Sequence, residues 1–287
     1  MSTQFRKALQ IIKPQPAMEG AGVKLKRSIA TGTLDHLDPF LLFDHFGSTD
    51  PDDYIKGFPM HPHRGIETVT YMIQGKVNHK DSIGNSGSIR SGDVQWMTAG
   101  GGIMHEEMPQ PAEVEMIGFQ LWVNLPAKLK MTKPRYQNIE CEQIPEIKRE
   151  DGVKILVIAG EVDGIRGPVS QIFADPTYVD VTIPPNGSFS HTIEKGHSAF
   201  AYIFEGVGKL GVDEQKQAES ASAPSLVVLD NGDRFTACAE DQAARFLLVS
   251  GKPLHEPIAR YGPFVMNTQA EIQQALEDLR KGTFVKH

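Results

Sequence analysis

Gly57-Phe-Pro-Met-His61-Pro-His63-Arg-Gly-Ile-Glu67-Thr-Val-Thr-Tyr-Met-Ile73 is the stretch on which the reading of this chain turns. Its second half alternates, with Val69, Tyr71 and Ile73 on one face and small or adaptable residues on the other, which is the period of a strand. Its first half sets two histidines two residues apart, and on a strand such residues point to the same side. A second segment with the same one-residue gap, Ile103-Met-His105-Glu106-Glu107, follows later in the same half.

Outward from there the pattern of short strands and turns continues. Gln74-Gly75 stops the first strand, and Lys76 to Asp81 follows at hairpin distance. Ser91-Gly92-Asp93 makes a turn before Val94 to Met97, Gly100-Gly101-Gly102 breaks that strand, and Gly118 to Val123 forms another. Among 287 residues there are 27 glycines and 19 prolines, above the usual shares of roughly 7% and 5%. Such frequent reversals exclude a helical bundle and point to an all-β fold.

The second half repeats the first in outline. Ala199-Phe-Ala-Tyr-Ile-Phe-Glu-Gly206 answers Glu67 to Gly75, and Leu229-Asp-Asn-Gly-Asp233 answers Ile89-Arg-Ser-Gly-Asp93. Between the halves, from Leu125 to Asp151, proline recurs at 126, 134 and 145 and no period is sustained, the character of a linker. Two domains follow, 1–137 and 138–287, with strands resuming at Lys154 to Ile158 and an exposed loop from Gln215 to Ala223. One helix is expected, at about 268–281. Thr268-Gln-Ala-Glu271 is its capping box, Ile272, Leu276 and Leu279 share a face for packing on a barrel, and Gly282 ends it.

Composition removes several classes of function. Lys+Arg 29 against Asp+Glu 36 gives a net charge of −7, and the densest basic cluster is only Lys24, Lys26 and Arg27, so no nucleic-acid surface is expected. Cys141 and Cys238 make neither a metal pair nor a disulfide framework and read as reduced thiols. The longest apolar run, Ala199 to Phe204, is too short for a bilayer, and the opening residues lack the apolar core of a secretory signal. The expectation is a soluble cytoplasmic protein with no membrane partner.

The chemistry centres on the two histidine segments. If they lie across one barrel from each other, His61, His63 and His105 converge with a carboxylate, an N₃O set that accepts Fe, Mn, Ni, Cu or Zn. Each pair is a weak signal in a chain with 10 histidines; their placement after glycine-bounded turns in one half is the stronger one. Glu67 and Glu107 both qualify as the carboxylate, because 61, 63, 67, 105 and 107 share one parity. Glu106 faces away and reads as exposed. Phe58, Met60, Trp96 and Met97 read either as apolar walls of the site or as ordinary core.

The same residues resemble the pirin family of the cupin superfamily. The resemblance is carried by Gly57 to Val69, Gly92-Asp-Val-Gln-Trp-Met-Thr-Ala-Gly100, Gly102-Ile-Met-His-Glu-Glu-Met-Pro109, Leu121-Trp-Val-Asn-Leu125 and Tyr261-Gly-Pro-Phe-Val-Met-Asn-Thr268. It runs in order from about Asp38 to Thr268. It implies two tandem cupin (jelly-roll type) β-barrels with a C-terminal α-helix. The N-terminal barrel would hold one divalent transition metal, usually iron, at His61, His63, His105 and Glu107. A general cupin would use Glu67 instead; the family pattern favours Glu107 and leaves Glu67 a structural carboxylate.

Other histidines receive structural readings. His36 and His45 flank Pro39-Phe-Leu-Leu-Phe43, and His45 stands where the family commonly has an acidic residue. His79 reads as a core or rim residue. In the C-terminal barrel, His191 is followed by Ile193 where a cupin places its second histidine, and no histidine follows Asn231-Gly-Asp233, so that barrel is expected to lack metal ligands.

The resemblance implies quercetin 2,3-dioxygenase-type activity: oxidative ring cleavage of flavonols such as quercetin with release of CO, Glu107 taking the proton of the flavonol 3-hydroxyl. The partners implied are a small-molecule substrate and O₂, on a monomer. The family also includes redox-sensitive transcription cofactors that meet a protein partner, and a cupin enzyme acting on another small molecule is the remaining alternative.

Overall fold

The structure, a computed structural model, describes residues 3–213 and 217–286. Strands dominate, joined by three short 3-10 turns and one α-helix. No helix among the described residues is long and apolar enough to cross a membrane. Part of the loop expected at Gln215 to Ala223 falls at residues 215 and 216, outside the described residues; of the rest, Ser220–Ser222 is a short strand paired with Val207 to Lys209.

The chain forms two compact units, and each is made of two separate stretches of sequence. One is Gln15–Cys141 with Leu254–His287; the other is Met1–Pro14 with Glu142–Pro253. The division is therefore not a single cut between 137 and 138. The stretch from Leu125 to Asp151 is not structureless either. Arg135–Ile139 pairs with Val94–Thr98 in the first unit, and Glu146–Lys148 pairs with Lys154–Ala159 in the second.

In the first unit a seven-stranded sheet runs in the order Arg135–Ile139, Val94–Thr98, Ile66–Gln74, Ile117–Asn124, Phe40–Phe46, Val23–Ile29, Gln15–Glu19. A four-stranded sheet runs Phe58–His63, Ile103–Pro109, Lys76–Asp81, Ser86–Arg90. Ile66–Gln74 and Lys76–Asp81 are consecutive but belong to different sheets, so they do not form the hairpin that their spacing suggests. Gly75, at φ 101°, takes the corner between them, a backbone conformation that side chains with a Cβ rarely adopt. Gly206 occupies the corresponding place in the repeat and also has positive φ, 75°.

The second unit is built on one nine-stranded sheet whose two longest strands are Ser198–Leu210 and Arg234–Gly251. Its core is a continuous apolar cluster that includes Phe189, Ile203, Phe235 and Phe246.

Among the described residues the one α-helix is Gln269–Arg280, capped by Thr268 with the reciprocal Glu271 bonds of a capping box. It belongs to the first unit rather than the C-terminal one. Ile272 is buried and Leu276 packs against the same apolar cluster, as expected, but Ala275 and Asp278 complete the inward face in place of Leu279, which is 36% exposed. The cause is Asp278, drawn inward to the buried guanidinium of Arg64 at 2.8 Å.

Candidate metal centre

His61 and His105 are direct partners on adjacent antiparallel strands, and Ile103 stands opposite His63. The two histidine segments are thus neighbours in one sheet, not opposite walls of a barrel. Cross-strand pairing brings side chains on one face within about 5 Å. A register shift between His105 and Glu107 sets Glu107 opposite Phe58 on that side and His79 on the other.

The three imidazoles converge. One nitrogen of each of His61, His63 and His105 lies within 4.8 Å of the others. The Nε2 atoms of His61 and His63 are 3.0 Å apart, and His61 Nδ1 meets the Pro59 carbonyl at 2.9 Å. That second bond fixes the tautomer: Nδ1 donates to Pro59, leaving the Nε2 lone pair facing the cluster. Both ring nitrogens of His105 are buried without a hydrogen-bond partner. Burial lowers the pKa of all three rings, well below the ordinary value for His63 and His105, where the neighbouring imidazoles add to the effect. They are neutral donors at physiological pH.

These residues fit a transition-metal ion. Two nitrogens each about 2.1 Å from one ion and at right angles to it lie ~3.0 Å apart, the separation found between His61 and His63. A cation here would also occupy one of the two nitrogens that His105 otherwise buries without compensation.

Glu107 is buried and lines the same cavity, but it is not within the 4.8 Å histidine group. Burial raises its pKa to about 7, against the pull of one hydrogen bond from the Thr70 hydroxyl at 3.1 Å. Thr70 Oγ1 also lies 2.9 Å from the side-chain amide of Gln120. The Gln120 atom that faces Thr70 is Oε1; a hydroxyl carries one proton, so both bonds hold only when the Gln120 amide turns to donate its N–H to Thr70 or when Glu107 is protonated and donates to it. Thr70 and Glu107 come from different sheets, so the site lies where the two sheets face each other.

Glu67 is placed differently. It is buried, accepts from Trp96 Nε1 at 3.1 Å and from Thr98 Oγ1 at 2.7 Å, and does not line the cavity. Glu106 is half-buried rather than exposed, on the alternate face of its strand.

The cavity beside the histidines has a volume of about 460 Å³, within the range of small-ligand sites. Of the expected apolar walls only Phe58 lines it; Met60 is 43% exposed, and Trp96 and Met97 are core residues. Leu42, Val77 and Trp122 supply apolar wall instead. Sequence reasoning missed Thr70, Gln120, Trp122 and a polar wall in which Arg27 makes two bonds to Asp44, at 2.8 and 2.7 Å, and one to Glu19 at 2.7 Å. It also missed Arg260. The Tyr261 to Thr268 motif was the signal, since Arg260 directly precedes it.

The remaining histidines take structural places. His36 is exposed beside Asp35, His45 packs on Phe119, and buried His79 stacks on Tyr136. In the second unit His191 stacks on Phe189, at the edge of the apolar cluster that fills its core. A further group there, Asp175, Glu194 and His197, has both carboxylates exposed and lies away from the expected cupin positions.

Comparison with known proteins agrees with this geometry. The pirin family model matches residues 22–123, and that of the pirin C-terminal cupin domain matches residues 178–285. The chain belongs to the pirin family. It is 44% identical to a Pseudomonas aeruginosa protein named "Putative quercetin 2,3-dioxygenase", over 98% of each chain. It is 43% identical to human pirin, over 91% of this chain and 88% of that one. A crystal structure of a quercetin 2,3-dioxygenase from Acinetobacter baumannii superposes with a TM-score of 0.88 at 36% identity, covering 98% of this chain and 99% of the other. Both cupin domains of the family are thus present, on a chain made mostly of strands.

Proposed function

We propose that this pirin is a metal-dependent dioxygenase that opens the central ring of flavonols such as quercetin and releases CO. The observation that carries the reading is three neutral imidazoles within 4.8 Å of one another, beside a cavity of about 460 Å³ that also holds a buried carboxylate. The resemblance to quercetin 2,3-dioxygenases supports the choice of reaction.

His61, His63 and His105 would hold the ion, with Glu107 completing the set, and iron is the first candidate among the divalent metals that such donors accept. When bound, the metal supplies Lewis acidity and the electron-transfer capacity that O₂ chemistry needs. The chain's own residues do the rest. The Pro59 carbonyl orients His61. Glu107 would accept the proton of the substrate hydroxyl, and the Thr70 hydrogen bond steadies the carboxylate that does so. Phe58, Leu42 and Val77 exclude water from the planar substrate.

The test is an oxygen electrode with quercetin and metal-loaded protein, alongside elemental analysis and a CO assay. One O₂ consumed and one CO released per quercetin lost is the expected result. Metal-replete protein that leaves quercetin and O₂ untouched would sink the reading.

A further inference from the structure

Arg260 stands on the cavity wall in an unusual state for a guanidinium. It is half-buried, yet its bonds to protein are Nη1 to the Leu41 carbonyl at 3.2 Å and a long one from Nε to the Gly262 carbonyl at 3.5 Å. Among the described residues it forms no ion pair and its Nη2 has no hydrogen-bond partner. Removing a charge from water is costly unless an opposite charge or a full set of hydrogen bonds replaces the solvent. The neighbouring Arg27 shows the contrast, because Asp44 and Glu19 take up its donors. Asp44 and Glu19 act on Arg260 only through space, their hydrogen bonds going to Arg27, so Arg260 Nη2 is left free to bond a ligand in the cavity.

Its position relative to the histidines is set by one side chain. The Arg260 guanidinium lies 5.2 Å from the centroid of the Trp122 ring, and the His63 ring meets Trp122 edge-on at 5.1 Å. Arg260, Trp122 and His63 all line the one cavity. A planar molecule lying along Trp122 with one end at the imidazoles therefore presents its other end to Arg260. The fork of a guanidinium suits an oxygen anion, to which its hydrogen bonds are charge-assisted.

We propose that Arg260 binds an acidic oxygen of the substrate, an ionised phenol or a carboxylate, with Trp122 between that oxygen and the imidazole cluster. The substrate class is then a planar aromatic acid or phenol, a deepening that rests on the dioxygenase reading of the same cavity. Asp44 and Glu19 keep Arg27 from competing for the anion, so recognition falls to one guanidinium.

The experiment uses three flavones that differ in one para substituent on the pendant ring: a carboxylate, a hydroxyl or a carboxamide. Each is titrated anaerobically into metal-loaded full-length protein and followed by calorimetry, at pH values on both sides of the phenol's ionisation. The native protein is expected to bind an acidic flavone roughly tenfold more tightly than the carboxamide, the usual worth of a charge-assisted bond. Arg260→Gln should bring that ratio to within about twofold, and Arg260→Lys should retain part of it. A preference for the carboxylate flavone, or one for the hydroxyl flavone that grows as its phenol ionises, supports the proposal and identifies the source of the oxygen. Equal affinity for all three, no binding of any, or a ratio unchanged in Arg260→Gln overturns it. Because the readout is a ratio within one protein, partial unfolding of a variant does not imitate the effect. Because it needs no turnover, failure of quercetin oxidation with an intact Arg260-dependent ratio counts against the dioxygenase reading alone.

Discussion

Arg64 Nη1 and Asp278 Oδ2 lie 2.8 Å apart in the interior, joining the residue beside His63 to the C-terminal helix. Arg64 also donates to the carbonyls of Gly101, at 2.8 Å, and Phe284, at 3.0 Å. One guanidinium thus ties the turn after His63, the glycines before His105 and the end of the chain together.

Removing one partner of this pair should be costly, because the other charge stays buried. Asp278→Ala is expected to lose about 3–5 kcal/mol of stability, whereas replacing both residues by apolar ones of similar size should lose much less. Burial alone would raise the Asp278 pKa, but bonds from Lys286, Arg64 and Gln274 hold it below its ordinary 3.8. A depressed carboxylate contributes stability above its unfolded pKa and loses it as pH falls through the folded value. Urea unfolding between pH 7 and pH 2 should show that acid loss in the native protein and a shallower one in Asp278→Asn. Equal slopes would contradict the pairing.

Metal binding gives the next prediction. His61→Ala removes one nitrogen of the cluster and leaves the others in place. Its metal affinity should fall by more than the 10–100-fold typical of losing an outer hydrogen-bond partner. Inductively coupled plasma analysis of the purified variant, with its thermal melt, decides this. A folded variant with native metal content would exclude His61 from the site.

The strands and the histidine pairs were legible because both depend on local period: alternation marks the strand, and two-residue spacing puts His61 and His63 on one face. Which strands pair is not a local property. The sequence could not show that His105 would be the cross-strand partner of His61, or that the chain changes sheets at Gly75. Parity left Glu67 and Glu107 equivalent. Their partners separate them, since Trp96 and Thr98 are claimed by one and Thr70 by the other. Leu279 alone was misplaced on the helix face, because an apolar pattern carries no knowledge of Arg64, some two hundred residues away, which turns Asp278 inward. Arg260 was invisible for a similar reason: a lone arginine becomes informative only when the fold leaves it beside a cavity with no carboxylate bonded to it.

The two glutamates should therefore respond differently to the same change. Glu67→Gln turns an amide N–H₂ toward one of the two donors it now accepts, at a cost of about 1–3 kcal/mol. Glu107→Gln disturbs one weak bond but removes the proton acceptor, so it should abolish oxygen uptake with a smaller loss of stability. Chemical denaturation and oxygen uptake of both variants check the pair of outcomes. A Glu107→Gln protein with native turnover would remove Glu107 from the reaction.

Mild acid should destabilise both units through histidines that burial keeps neutral. His45 in the first unit is pushed down to about 4 by burial and by Lys26. His191 in the second is also pushed to about 4, by burial first, against the pull of Asp163 and with Arg149 and Arg234 adding to the fall. Their ordinary value is 6.5, so between pH 6.5 and 4 the unfolded chain binds protons that the folded chain refuses. Stability is then full above the unfolded pKa and falls as pH drops toward the folded one, levelling off below it. Each ring sets a slope of at most about 1.4 kcal/mol per pH unit, reduced by its partial exposure to solvent. His45→Asn and His191→Asn carry no such proton, so each should flatten the stability profile in this window without altering it above pH 7. Urea titrations at half-unit steps would reveal the change, and a native slope in the double variant would show that neither buried ring controls it.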